Sequence, residues 1–195
     1  MVLKYLGFFL VTLNISLFSV NKVQLGYSIR RATVNDRVSL KELYQKVADL
    51  PGGLARDKSE ITDLYIDKIL LNGLNNGLLM VVESQGRLIG AMVKFRLEPA
   101  AFKHVLAEGS ILVDPDFHGM GIGTRLIYEF LEEVKSYFPE ILRIELVVRE
   151  SNPAIRLYER MGFKKEGRFE MRIRSSSGQL EADIPMAWLR PEVSR

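Results

Sequence analysis

Residues 111–130, ILVDPDFHGMGIGTRLIYEF, place an apolar run, a polar turn and a helix in direct succession. Ile111, Leu112 and Val113 read as the end of a strand, Asp114-Pro115 stops it, and Gly119, Gly121 and Gly123 lead into a segment of helical periodicity. Glycine in such a turn lets backbone N–H groups approach a ligand with no Cβ in the way. The first turn of the helix adds unpaired donors and the positive end of the dipole. A phosphate is the ligand that suits it, against a plain strand-to-helix turn in which glycine only eases tight packing. The spacing fails the dinucleotide fingerprint, because Thr124 stands where a third small residue is required, and no Gly-Lys-Ser/Thr follows to make a Walker A loop.

Outward from this stretch the chain alternates strand and helix. Downstream, Leu126, Ile127, Phe130, Leu131 and Val134 form an apolar stripe that ends before Pro139. A strand is expected over 141–148. Ser151-Asn152-Pro153 then reads as a cap with proline at the first position of a short helix that runs to Met161, with Gly162 as its stop. Residues 163–173 and 180–189 complete the domain as a strand pair joined by SSSG. Upstream, a strand from about Leu106 leads into Val113, and residues 78–83 and 88–97 read as a hairpin around SQGR. Before them come a short strand at 27–32 and a helix capped by Thr33 or Asn35 that runs to about Leu50. A second helix starts after Asp57 or Ser59, where Glu60 completes a capping box, and ends near Gly73.

Composition bounds the class. With 195 residues, 47% hydrophobic and 26% charged, the chain suits one globular domain. No cysteine is present, which excludes disulfides, thiolate metal sites and a cysteine nucleophile, and two histidines exclude a histidine-rich metal site. The net charge of +3 is interspersed, so a solvated mixed surface is expected and nucleic acid is not an expected partner. Residues 1–26 stand apart: an apolar run over 5–20 follows Lys4 and is interrupted by Thr12, Asn14, Ser16 and Ser19. It is too short and polar for a clear spanning helix, and no A-x-A-like site follows it. It reads as an N-terminal extension, packed or forming an extra strand, with a membrane anchor or targeting segment as the alternative.

Two motifs together carry a family resemblance. Asn152-Pro-Ala-Ile-Arg-Leu-Tyr158-Glu-Arg-Met-Gly162-Phe163 lies about thirty residues after the glycine turn and resembles the second signature of the GNAT N-acetyltransferases. His118-Gly-Met-Gly121-Ile-Gly123 is similar to their first, Arg/Gln-x-x-Gly-x-Gly/Ala, except at its first position. The resemblance covers roughly residues 27–188. It implies a GNAT-like mixed α/β (α+β) domain over 27–195. Its central, mostly antiparallel sheet would be flanked by helices and splayed between the strand ending at Val113 and the strand starting near Ile141.

The resemblance also implies acetyl-CoA as cosubstrate and direct transfer of acetyl to a primary amine through a tetrahedral intermediate, with no metal. Main chain at Leu112 and Val113 would pair with the pantetheine arm. The turn of His118, Gly119, Met120, Gly121, Ile122, Gly123 and Thr124 would hold the pyrophosphate through backbone donors. His118 replaces a permanently charged arginine with a group only partly charged near neutral pH, against a plain surface histidine on a turn. Asn152 is either a helix cap or a cofactor-proximal amide. Tyr158 matches the acid that protonates the departing thiolate, against a plain core tyrosine. Glu108 is the leading candidate for the base, against an exposed strand carboxylate, with Glu83 and Asp183 behind it. The loop at 51–56 would border the acceptor pocket, and Arg56 would meet an acidic group of the substrate. A cytoplasmic setting is expected, and a homodimer is compatible with the sequence. The other reading is a non-catalytic acyl-CoA-binding or regulatory domain. Protein N-termini, lysine, polyamines, amino acids and drug amines all remain open as acceptors, because acceptor choice lives in loops.

Overall fold

The computed structural model describes residues 26–175 and 177–191. The extension expected over 1–26 lies outside the described residues except for Gly26, whose carbonyl accepts from Ser84 Oγ at 2.8 Å.

The hairpin expected around SQGR forms from β2 (Gly77–Ser84) and β3 (Arg87–Arg96), with positive φ at both Gln85 and Gly86. That turn geometry matches the twist of paired strands. Here β1 (Ser28–Arg31) pairs antiparallel with the outer side of β2. On its other side β3 meets two short strands, β4 (Val105–Ala107) at Phe95↔Ala107 and β5 (Ile111–Val113) at Gly90↔Val113. Only β4 continues the sheet, pairing parallel with β6 (Arg143–Arg149) at Val105↔Arg143. The far half is antiparallel: β9 (Leu180–Leu189) pairs with β6, and β7 (Lys164–Lys165) and β8 (Phe169–Arg174) pair with β9. Since β5 pairs only with β3, the sheet opens between Val113 and β6, as the resemblance implied.

Two expected strands are each broken in two. The strand expected over 106–113 stops at Glu108 and Gly109, which both have positive φ. A Cβ on Gly109 would lie 2.2 Å from the Val93 carbonyl oxygen, so the backbone presses on β3 there and only glycine fits. The resulting bulge ends β4 and re-aims the chain into β5. The strand expected over 163–173 divides into β7 and β8, with a register irregularity between Phe169 and Ile173 and positive φ at Met171.

Helices cover both faces of the sheet. On one face α1 (Arg37–Ala48) and α2 (Asp63–Asn75) bury Leu40, Tyr44 and Ile66 against Leu79, Val81 and Val93. On the other, α3 (Ile122–Tyr137) and α4 (Ile155–Arg160) bury Leu126, Phe130 and Ile155 against Met80, Ile144 and Trp188. The expected caps form, one turn early. Thr33 and Asp36 close a box on a 3-10 turn at Val34–Asp36, and Asp57 and Glu60 close one at Lys58–Glu60. Thr62 caps α2 by accepting from Tyr65 N at 3.2 Å. At the far end of α3 the buried Arg190 donates to the carbonyls of Val134 (3.0 Å), Phe138 (2.9 Å) and Ile141 (2.9 Å). A cation there satisfies carbonyls that the helix leaves open and meets the negative end of its dipole.

Candidate active site

The opening between β5 and β6 leads into a cavity of about 1090 Å³. One wall is the main chain of Ile111, Leu112 and Val113; the floor is the turn into α3; the opposite wall is Asn152, Ala154, Leu157 and Tyr158. Gly119 and Gly121 have φ of 76° and 80°, and a Cβ at either would meet nothing within 4 Å. Their glycines answer to backbone conformation, and what they leave beside the start of α3 is open space over unpaired N–H groups. Gly121 is itself the residue preceding the first turn of α3. His118, Gly119, Ile122, Gly123 and Thr124 line the same cavity. Met120 does not: its side chain is exposed and only its main chain belongs to the turn.

Asp114 is buried beneath this turn and shapes it. Its Oδ1 accepts from Asp116 N at 3.0 Å, and Lys46 reaches across from α1 to both carboxylate oxygens at 2.7 and 2.9 Å. His118 Nε2 lies 3.0 Å from the Val113 carbonyl and, facing an acceptor, carries the proton.

A second cavity of about 550 Å³ adjoins the first. Both are lined by Gly52, Gly53, Ile111, Arg149, Asn152 and Tyr158, which mark their junction. Tyr158 is 9% exposed and packs edge-on to Phe163 at 6.0 Å between ring centres. Burial pushes its phenol up to about 12, so the hydroxyl stays protonated throughout the neutral range. Asn152 Oδ1 accepts from Ala154 N at 2.9 Å. Asn152 thus braces the turn before α4 and does not cap the helix, whose N-cap is Ala154, and its Nδ2 has no hydrogen-bond partner among the described residues. Pro153 lies in the turn before α4 and Ala154 precedes the first helical residue, so proline does not open the helix as expected.

Residues 40–163 match the acetyltransferase (GNAT) family. The chain belongs to that family. Among its relatives is an uncharacterised N-acetyltransferase of Methanocaldococcus jannaschii, 43% identical over 142 residues; the match covers 72% of this chain and 62% of that protein's length. The fold is shared with the GNAT acetyltransferase of Streptococcus pneumoniae (19% identity, TM-score 0.72, covering 85% of this chain and all of that one). It is shared too with a phosphinothricin acetyltransferase of Sinorhizobium meliloti solved with acetyl-CoA (20% identity, TM-score 0.70, covering 86% and 90%).

Within this GNAT fold the expected site residues divide clearly. Tyr158, Asn152 and Leu112–Val113 converge on the large cavity. Glu108 and Asp183 line the smaller one, while Glu83 is held by Arg30 at 2.7 Å at the β1–β2 edge and lines neither. Arg56 is a correction too. The 51–55 segment borders the cavities, but Arg56 turns away to pair with Glu60 at 3.3 Å and stack on Tyr65 at 4.6 Å. Its place is taken by Arg149, which lines both cavities and donates to the Leu54 carbonyl at 3.4 Å. Sequence reading also passed over Lys94, a lysine in the otherwise apolar run LIGAMVKF and a wall of the smaller cavity. A lone charge inside an apolar strand was the available signal.

Among the described residues no helix is long and apolar enough to cross a membrane.

Proposed function

We propose that the protein transfers acetyl from acetyl-CoA directly to a primary amine, with Tyr158 as general acid. The observation that carries this reading is the place of Tyr158 at the junction of the two cavities, with its phenol held in the donating form. The space over Gly119 and Gly121 suits a pyrophosphate bound by main-chain donors, which needs no basic side chain at Met120. No strand lies beside β5 on its β6 side, which leaves room for the pantetheine arm to add there as a strand would, with the Val113 carbonyl exchanging its His118 Nε2 donor for the arm. When bound, acetyl-CoA supplies the activated acetyl group.

The smaller cavity is read as the acceptor pocket. Three of its lining residues are carboxylates. Glu145 gives one oxygen to Arg143 Nε at 2.5 Å, and Asp183 faces Arg172 at 3.8 Å. Glu108 has no hydrogen bond or ion pair among the described residues, and the bulge sets it on the rim. It is therefore the group best placed to take the proton from the acceptor ammonium, directly or through water. Asn152 keeps its Nδ2 donors for the cofactor.

The test is release of CoA thiol over a panel of amines. Wild type turns over at least one amine, and Tyr158→Phe lowers kcat by about 10²-fold or more while binding acetyl-CoA as before. Tight acetyl-CoA binding with no turnover on any amine, together with no effect of Tyr158→Phe, would mark a non-catalytic acyl-CoA-binding domain instead.

A further inference from the structure

Five polar or charged residues are buried among those described: Asp36, Ser84, Lys94, Asp114 and Arg190. Four have partners. Asp36 is held by Arg30, Ser84 by the Gly26 carbonyl, Asp114 by Lys46, and Arg190 by four backbone carbonyls. Lys94 is 3% exposed and has no hydrogen bond or ion pair among the described residues. Its ammonium is not sealed in the core, since no buried side-chain nitrogen is left without a partner and Lys94 lines the smaller cavity. It is a charge that the pocket reaches.

A buried ammonium with no partner is costly, and a site that retains one holds an unspent capacity to bind an anion. Glu145 and Glu108 act on Lys94 through space, but neither comes within ion-pair distance. Desolvation nevertheless lowers Lys94 to about 8, so at neutral pH it is still mostly charged. The lining balances only with Lys94 counted: Arg149 and Arg172 stand with it, and Glu108, Glu145 and Asp183 against them. Of the two arginines, Arg172 is drawn toward Asp183 and stacked on Phe169, and Arg149 is turned to the Leu54 carbonyl. A polyamine would set its charges against the buried ammonium. A ligand with one amine and one carboxylate matches a lining that carries both signs.

We propose that Lys94 is the anion-binding group of the acceptor pocket, and that the acceptor is a carboxylate-bearing amine of amino-acid size. This rests on the acceptor reading of the smaller cavity given above. Lys94 acts there as a specificity-determining residue: its Nζ donates to the carboxylate of the acceptor, while the carboxylates of the lining receive the amine. A carboxamide at the same place keeps the shape and loses the charge.

The experiment uses the full chain, the L-amino acids, their carboxamides and spermidine. Acetylation is followed by thiol release, and binding by saturation-transfer NMR without turnover. Wild type is expected to favour at least one amino acid over its carboxamide by about tenfold or more in kcat/KM, mainly through KM, and over spermidine. Lys94→Met, close in volume, is expected to bring the acid-to-amide ratio near one while leaving acetyl-CoA affinity unchanged. A wild type that prefers carboxamides or spermidine, or that binds no amino acid, overturns the proposal even if the variant does not fold. So does a preference that survives in Lys94→Met. Carboxylate-dependent binding that Lys94→Met abolishes, with no thiol release from any acceptor, sinks the transfer reading and leaves the anion site standing.

Discussion

Lys46 and Asp114 meet at 2.7 Å between α1 and the turn that leaves β5. The carboxylate is 1% exposed, the ammonium about one-third exposed, and the pair ties the first helix to the loop that leads into Gly119 and Gly121. A second ion pair from the same Nζ to Asp116, at 2.6 Å, holds the other side of the turn. Lys46→Met leaves Asp114 with the Asp116 amide and with Arg87 at 3.6 Å. Solvent screening discounts the loss to about 1–2 kcal/mol in urea unfolding. Acetyl-CoA affinity is expected to fall with it, because the turn loses its brace. Hydrogen bonding to Asp114, then Asp116, raises the Lys46 pKa. Its stabilisation is therefore complete below about pH 10.4, the unfolded value, and fades as pH rises through the folded one. Alkaline unfolding curves of wild type and Lys46→Met should converge; curves that stay parallel would refute the linkage.

Tyr158 sets a prediction for the pH dependence of transfer. An acid must hold its proton, and burial keeps this one to about 12. The rate should show no loss from the acid up to about pH 10. A descending limb near pH 8 that disappears in Tyr158→Phe would show that the phenol titrates far lower.

Gly121→Ala tests the phosphate turn. At φ 80° an L-residue is strained, by about 1 kcal/mol, and its methyl would enter space that is open in the fold. A small drop in Tm is expected, with a loss of acetyl-CoA affinity of about tenfold or more by calorimetry. Unchanged affinity would place the pyrophosphate elsewhere.

Arg190→Met removes the donors that close the end of α3. The carbonyls of Val134, Phe138 and Ile141 lose buried, charge-assisted bonds, for an expected cost of about 2–4 kcal/mol by denaturant unfolding. A cost below about 0.5 kcal/mol would mean that water replaces the guanidinium.

Acid should weaken the β1 to α1 corner. Hydrogen bonding from Arg30 depresses Asp36, against the opposing effect of its burial. A depressed carboxyl stabilises the fold above its unfolded value of about 3.9 and loses that contribution as pH falls through the folded one. Asp36→Asn should lower stability at pH 7 and flatten the acid limb of the unfolding curve; an unchanged limb would assign acid sensitivity to other carboxyls.

The sequence by itself determined the features whose causes are local. Gly119 and Gly121 announce a backbone with positive φ, the apolar stripe from Leu126 to Val134 announces a helix on a sheet, and the Asn152-to-Phe163 motif announces Tyr158. Each is readable because conformation, periodicity and spacing act within a few residues. Tertiary structure alone decided where the sheet opens and what fills the acceptor side. The strand through Glu108 and Gly109 breaks because Gly109 presses on Val93 of a different strand. Arg149 takes the position at the junction beside Gly52 and Gly53, and Lys94 of β3 shares one small cavity with Glu108 and Glu145. Those meetings join residues up to about a hundred positions apart, and burial and charge pairing between such distant segments arise only when the sheet brings them together.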